Sequence, residues 1–321
     1  MQQPYEQGQE VRTSKFRQEV VVLRIFTAIV LVCAFLFADG APELVAQSAN
    51  RRAIAVGPQY NATHVYLVQG DLDAFVKSFI TTFGGSTTKP IVANVTPVPS
   101  STISQIVRTP VGVLSIFAYQ TPIPFPFGTE RTGNLVNGMD EAIQAARAAG
   151  AEVLVAPYKD PIGEDAIIQW PGGVKMQLYW HFKPSTSPPL ETVPDSRIYV
   201  STDQADNFVK CFIAFSDGKV VSDDKHADAG EIGRVGETYR RIRISSLFGN
   251  MQVLVTDGHL PYPFGDELTG YQVQDLRATL DKAKTAGVKI LSAIYTAGDR
   301  SSTIVEFPGG YIAEIHSLTV H

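Results

Sequence analysis

Cysteine is scarce in this chain: Cys33 and Cys211 are the two in 321 residues. They form no CxxC pair, which excludes thiolate zinc clusters, and a chain processed beyond Cys33 has no internal disulfide. Positive charge is not in excess either. The chain has 27 Lys+Arg against 32 Asp+Glu, a net charge of −5 at pH 7. A nucleic-acid binder needs a basic surface to displace phosphate counterions, so no nucleic-acid partner is expected. Gly (26) and Pro (20) are near ordinary usage, which excludes collagen-like and bulk-disordered chains. The patterns GxxxxGK, GxGxxG, HExxH and GxSxG are absent, so the commonest nucleotide, zinc-protease and serine-hydrolase signatures carry nothing here.

Long apolar runs are equally rare, and one is informative. Lys15, Arg17 and Arg24 precede an uncharged stretch of 14 residues from Ile25 to Ala38. A bilayer span needs about 20 residues, whereas the apolar core of a signal peptide has about 7–15. Small residues follow, in Ala38-Asp39-Gly40 and Leu44-Val45-Ala46. Residues 1–49 therefore read as a signal peptide, with an uncleaved N-terminal anchor as the alternative. The expected location is secreted or periplasmic, with no membrane contact beyond this segment.

The remainder repeats itself. Pro124-Phe125-Pro126-Phe127-Gly128-Thr129-Glu130 recurs as Pro261-Tyr262-Pro263-Phe264-Gly265-Asp266-Glu267, an offset of 137. The same offset carries Gly150 to Gly287 and Pro171-Gly172-Gly173 to Pro308-Gly309-Gly310. Tyr66, Phe75, Phe79 and their neighbours recur as Tyr199, Phe208 and Phe212 at an offset of 133. Order and spacing together identify two similar halves. Their expected bounds are 55–183 and 195–317, joined by a Pro/Ser-rich linker over 184–194.

Each half divides again. A short strand over Val65–Val68 precedes a helix that Asp71 can cap, with Phe75, Val76, Phe79, Ile80 and Phe83 on one face. Strand-like segments follow around Ile91–Val95, Ile103–Val107 and Val113–Ala118. The pattern restarts with a short strand at Leu135-Val136, a helix over Met139–Ala149 and three more strands. The expected class is α+β, with βαβββ modules in tandem and an open sheet face for a concave site.

His64-x3-Val68-x2-Asp71-Leu72-Asp73, followed by Phe79, resembles the first strand and helix of the vicinal oxygen chelate superfamily. Pro171-Gly172-Gly173-x3-Gln177 and Pro308-Gly309-Gly310-x3-Glu314 resemble its closing turn and last strand. The superfamily includes glyoxalases, extradiol dioxygenases and antibiotic-binding resistance proteins. The resemblance implies two glyoxalase-like domains, each forming a cup into which His, His and Glu project around a divalent metal ion. Carried over by position, His64 is the first ligand and Gln177 the last in the first half. Glu314 takes the last position in the second half, where Arg197 stands in the place of His64 and is the candidate substrate contact. The middle position holds Thr132 and Thr269 where His is expected. Glu130 and Glu267 lie two residues earlier and are candidate ligands, or else stabilise the Pro/Phe turn. Arg241 and Arg243 share a strand face, read as solvated. His226 and Glu231 read as parts of a Gly/Asp-rich loop.

The resemblance leaves three functions open. One is a metal-dependent lyase or isomerase of glyoxalase type, with Glu314 as metal ligand or as the base next to a carbonyl. A second is a non-catalytic protein that binds a small molecule in a cup. The third is an extradiol-type dioxygenase. On export, N-terminal sequencing of the exported protein is expected to read a first residue between Gly40 and Ser48. An intact Met1 or Val22 would overturn that expectation.

Overall fold

In the computed structural model, the structure describes residues 53–185 and 188–319. The expected signal peptide, residues 1–49, and part of the expected linker lie outside the described residues. The first half comprises β1 (Ala62–Val68), α1 (Leu72–Phe83), β2 (Ser86–Thr87), β3 (Ile91–Ala93), β4 (Thr102–Thr109) and β5 (Gly112–Tyr119). It continues with β6 (Thr132–Leu135), α2 (Met139–Ala148), β7 (Glu152–Lys159), β8 (Gly163–Gln169) and β9 (Lys175–His181). The second half runs β10 (Asp195–Ser201), α3 (Ala205–Ser216), β11 (Lys219–Asp228), β12 (Thr238–Ser246) and β13 (Gly249–Thr256). It closes with β14 (Leu268–Gln272), α4 (Leu276–Thr285), β15 (Lys289–Ile290), β16 (Tyr295–Ala297), β17 (Arg300–Phe307) and β18 (Tyr311–Leu318).

Each half makes one nine-stranded mixed sheet. The orders are β2-β4-β5-β1-β6-β9-β8-β7 and β11-β12-β13-β10-β14-β18-β17-β15, with β3 and β16 added beside β4 and β17. In each, the first strand pairs in parallel with the end of its own module and antiparallel with the start of the next. The α+β class and the doubled glyoxalase-like architecture expected from the sequence are both present.

Alternation decides what each strand gives to the core. On β1, Val65 and Leu67 are buried on the helix side, while His64 and Tyr66 point to the opposite face. On α1, Leu72, Phe75, Val76 and Phe79 are buried at helical spacing. Asp71, expected to cap this helix, makes no side-chain capping bond; a 3-10 turn over Gln69–Asp71 leads into it instead. At α4 a cap does form, with Asp275 accepting from the Ala278 N–H at 2.9 Å. The largest addition to the sequence reading is β11, whose charged, exposed residues pair along β12. Neighbour pairing overrides the weak strand preference of that segment.

The helices find their partners across the halves. Phe75 and Phe79 of α1 lie 6.0 and 5.0 Å from Phe307 at the end of β17. In the equivalent place, Phe212 and Phe215 of α3 lie 5.9 and 5.2 Å from Trp170 beside β8. One apolar cluster thus joins β1, α1, β4 and β5 to α4, β17 and β18, and the other joins α2, β8 and β9 to α3, β12 and β13. The repeated Pro-Gly-Gly turns sit on these seams. Gly172 and Gly309 both have φ near +85°, a region that suits glycine. A Cβ on Gly172 would lie 2.8 Å from Val200 Cγ1, and one on Gly309 2.8 Å from Leu67 Cδ2. Each turn therefore packs its backbone directly on the other half. The Pro/Phe repeats also match: Phe125-Pro126 and Tyr262-Pro263 are both cis.

Phe79 is fully buried among rings from both halves. Phe79→Ala is expected to cost about 3–5 kcal/mol. Urea denaturation followed by fluorescence of Trp170 and Trp180, both packed in the other cluster, should shift as one transition. Two separated transitions would show that the seams unfold independently.

Candidate functional site

The outer face of the first sheet encloses a cavity of about 340 Å³. Alternate residues of each strand reach it: His64 and Tyr66 from β1, Ser115, Phe117 and Tyr119 from β5, Gln177, Tyr179 and His181 from β9. Asp165 of β8, Asp160 in the β7–β8 turn and Ile91 and Ala93 of β3 complete the wall. His64 and Gln177, expected to share one concave face, both line this cavity.

His64 is buried and held on three sides. Its Nδ1 lies 3.3 Å from Glu130 Oε1, and Phe117 meets the ring edge-on at 5.4 Å. Its Nε2 fills the space over Gly133, 2.6 Å from where a Cβ would stand. The Tyr66 hydroxyl donates to the same Glu130 oxygen. Glu130 is wholly buried, and its Oε2 has no hydrogen-bond partner among the described residues. Burial, and then the Glu130 charge, push the Tyr66 phenol well above the ordinary range.

A second carboxyl faces the same space. Asp165 is 8% exposed. Burial and the neighbouring Asp160 charge push its pKa up to about 7, with the polar groups of Gln177 and Tyr158 opposing the shift. Burial lowers the pKa of His181 despite the Asp160 charge. Tyr158 donates to the Val95 carbonyl at 2.9 Å, tying β7 to the segment after β3. Tyr119 Oη, also buried, has no partner among the described residues.

The second half fills the corresponding face with paired charge. Arg197 stands opposite Gln252 in the ladder, as His64 stands opposite Ser115 in the first half. Both replacements are larger. Arg197 is 1% exposed and binds Glu314 Oε2. Arg300 Nη2 reaches Glu314 Oε1 at 3.0 Å, and His316 Nδ1 lies 3.3 Å from that same oxygen. Arg300 Nη1 continues to Asp195 at 3.1 Å. Burial alone would raise the Glu314 pKa, but the Arg197 and Arg300 charges, with His316, hold it well below the carboxylate range. The expected roles of Glu314 as metal ligand or base, and of Arg197 as substrate contact, thus meet an internal ion cluster. Two guanidinium groups occupy the oxygens a cation would need.

Other expectations change in the same way. Glu130 and Glu267, equivalent in sequence, sit in different surroundings. Glu267 borders a small recess of about 30 Å³ with Thr132, Lys175 and Ser196. Its carboxyl is pushed up to about 7 by burial, against the pull of Arg131. Arg241, read as solvated, is buried, with Nη1 2.6 Å from Glu231. Arg243 binds Asp299 through both terminal nitrogens at 3.1 and 2.9 Å. The metal implied by the resemblance needs three convergent donors. The first half offers His64, engaged with Glu130, and the amide of Gln177. Among the described residues no three His, Cys, Asp or Glu side chains converge on one point. The donor set therefore does not fit a metal centre in either half.

No family model matches the sequence, and no curated protein matches it. Solved structures do. A mutant of 4-hydroxymandelate synthase from Streptomyces coelicolor aligns with TM-score 0.59 at 13% identity, over 84% of this chain and 94% of that one. The 2,3-dioxygenase LapB from Pseudomonas sp. KL28 gives 0.52 at 11% identity, over 84% and 95%. The Mn(II)-bound glyoxalase from Novosphingobium aromaticivorans gives 0.50 at 14%, over 83% of each chain. The chain has the vicinal oxygen chelate fold. At these identities the likeness concerns the fold, and the site must be argued from its own residues.

Sequence reasoning located His64 and Gln177 but missed Asp165, Phe117 and Tyr119. The available signal was parity: Asp165 interrupts a buried strand, and Ser115, Phe117 and Tyr119 share one face of β5.

The raised Asp165 pKa has a definite consequence. Between about pH 4 and 7 the folded protein keeps this proton and the unfolded chain releases it, so stability falls as pH rises through that window. The contribution is complete below the unfolded pKa and gone above the folded one, at about 1.4 kcal/mol for each tenfold difference in proton affinity between the two states. Asp165→Asn is expected to gain at least about 1 kcal/mol relative to wild type between pH 5 and 8 in urea titrations. Glu267 adds a slope of the same sign to both proteins and cancels. Parallel curves would show that Asp165 titrates normally.

Proposed function

We propose that the first half is the working half, and that it binds a small, largely apolar molecule in its cavity without a metal ion. One contrast carries the reading. Equivalent strand faces hold an aromatic-lined space of about 340 Å³ in one half and a paired-charge cluster in the other. Ligand pockets combine apolar walls with a few placed polar groups. Here Phe117, Phe127 and Ile106 supply apolar wall, while Asp165, Gln177 and Tyr119 supply polar contacts. His64 acts as a fixed wall element, since one nitrogen faces Glu130 and the other is pressed on Gly133. Glyoxalase and dioxygenase chemistry are not proposed, because neither half assembles the donors such reactions need. Secretion or periplasmic export of the mature chain belongs to this reading and rests on the charge and length of the N-terminal apolar run.

A thermal-shift screen of small aromatic compounds tests the reading. A ligand at a hundred times its Kd adds about 2.7 kcal/mol of stability. Hits are expected to raise the Tm of wild type and to lose that effect in Ser115→Trp, which fills the cavity. Treatment with EDTA should leave the shifts unchanged. Hits indifferent to Ser115→Trp would place binding elsewhere, and shifts abolished by EDTA would restore a metal to the site.

A further inference from the structure

Resting on that reading, we propose that the molecule taken by the first cavity is a small organic cation, an ammonium carried on an aromatic or alkyl body.

The charge balance of the walls points there. Asp160 and Asp165 both border the cavity. Asp160 accepts the backbone N–H groups of Ile162, at 2.9 Å, and of Gly163. Neither carboxylate forms an ion pair with Lys or Arg among the described residues, and the buried guanidinium groups of the second half are committed to other acids. Glu130 stands behind Tyr66 and His64 with one buried oxygen unpartnered. Its nearest basic group is the His64 imidazole. Buried acids left without a cation in the protein are costly unless something else supplies the charge. In the second half Glu314, Glu231 and Asp195 each have a guanidinium.

The neighbouring rings suit the same ligand. Tyr66 stacks with Phe117 at 5.4 Å and with Tyr119 at 6.3 Å, and all three border the cavity. A cation is attracted to the faces of such rings by about 0.5–1 kcal/mol, or about 2 when desolvated. Arg108 also lines the cavity. It belongs to β4 and forms no ion pair with Asp160 or Asp165 among the described residues. An anionic ligand would meet Arg108 together with two acids in the wall, Asp160 and Asp165, and the buried Glu130 behind it.

Three compounds of one shape test the proposal against the full chain: 1-naphthylmethylamine, 1-naphthalenemethanol and 1-naphthoate, titrated calorimetrically at pH 7.5. The amine is expected to bind at least about tenfold tighter than the alcohol, with the carboxylate weakest. Asp165→Asn should cost the amine at least about tenfold and change the alcohol far less. Ser115→Trp should weaken every compound that binds in the cavity. An alcohol that binds as tightly as the amine, or a carboxylate that binds best, overturns the cation proposal and leaves the cavity reading standing. So does a screen whose hits depend on Ser115 while none of the three compounds binds. Binding of the amine that is unaffected by both Asp165→Asn and Ser115→Trp overturns the proposal and the cavity reading together.

Discussion

Neither first helix can bury its apolar face within its own half. Phe75 and Phe79 of α1 need Phe307 and Tyr311 of the second half. Phe212 and Phe215 of α3 need Trp170 of the first. This reciprocal burial consumes the inner face of both sheets and leaves the outer faces to form cups. It also explains why the repeat keeps its Pro-Gly-Gly turns, since each brings bare backbone against the other half where a Cβ would collide. Apolar burial of this kind is the dominant favourable term in folding, and here it lies in the seams.

With stability lodged in the seams, the cups are free to diverge. The scaffold is nearly two-fold, yet equivalent positions carry His64 and Arg197, Ser115 and Gln252, Gln177 and Glu314. The second set forms a network in which Glu314 shares its charge with two arginines and a histidine. In such a network, loss of either guanidinium would leave the buried Glu314 carboxylate with one cation fewer to offset its desolvation. The first set does the reverse. It leaves a cavity, with one Glu130 oxygen and the Tyr119 hydroxyl unpartnered among the described residues and no guanidinium paired to its acids. Paired charge that fills a face reads as structure, and polar groups set around an open space read as a site.

The parts of this arrangement that were legible in the sequence are those written locally. Helical spacing of Phe75, Val76 and Phe79 gave α1, the repeated turns gave the two halves, and strand parity put His64 and Gln177 on one surface. What stayed hidden depends on distant partners. Arg241 looked solvated because its acid, Glu231, lies in a short 3-10 turn that reads as loop. The charged strand β11 exists because β12 pairs with it, not because of its composition. Glu130 and Glu267 are indistinguishable by motif; one meets His64 and Tyr66, the other Lys175 and Ser196, and only the packed seam separates them. Asp165 escaped notice because a single acid in an apolar strand looks the same whether it faces solvent or a cavity.

Seam burial also accounts for a chelate-type fold whose donors do not converge. In a small metal-stapled domain, losing a ligand loses the fold, because metal binding and folding share one free energy. Here the clusters at the seams hold large buried side chains from both halves, among them Trp170, Phe75, Phe79, Phe208 and Phe307. Positions such as Arg197 and Gln177 can therefore depart from a ligand pattern without cost to the architecture. What limits them instead is local electrostatics: a guanidinium at 197 demands the carboxylate at 314, and an imidazole at 64 is fixed by the carboxylate at 130. Each cup is then a self-consistent set of polar choices on a scaffold indifferent to them. That is why one can be closed by ion pairs while the other stays open.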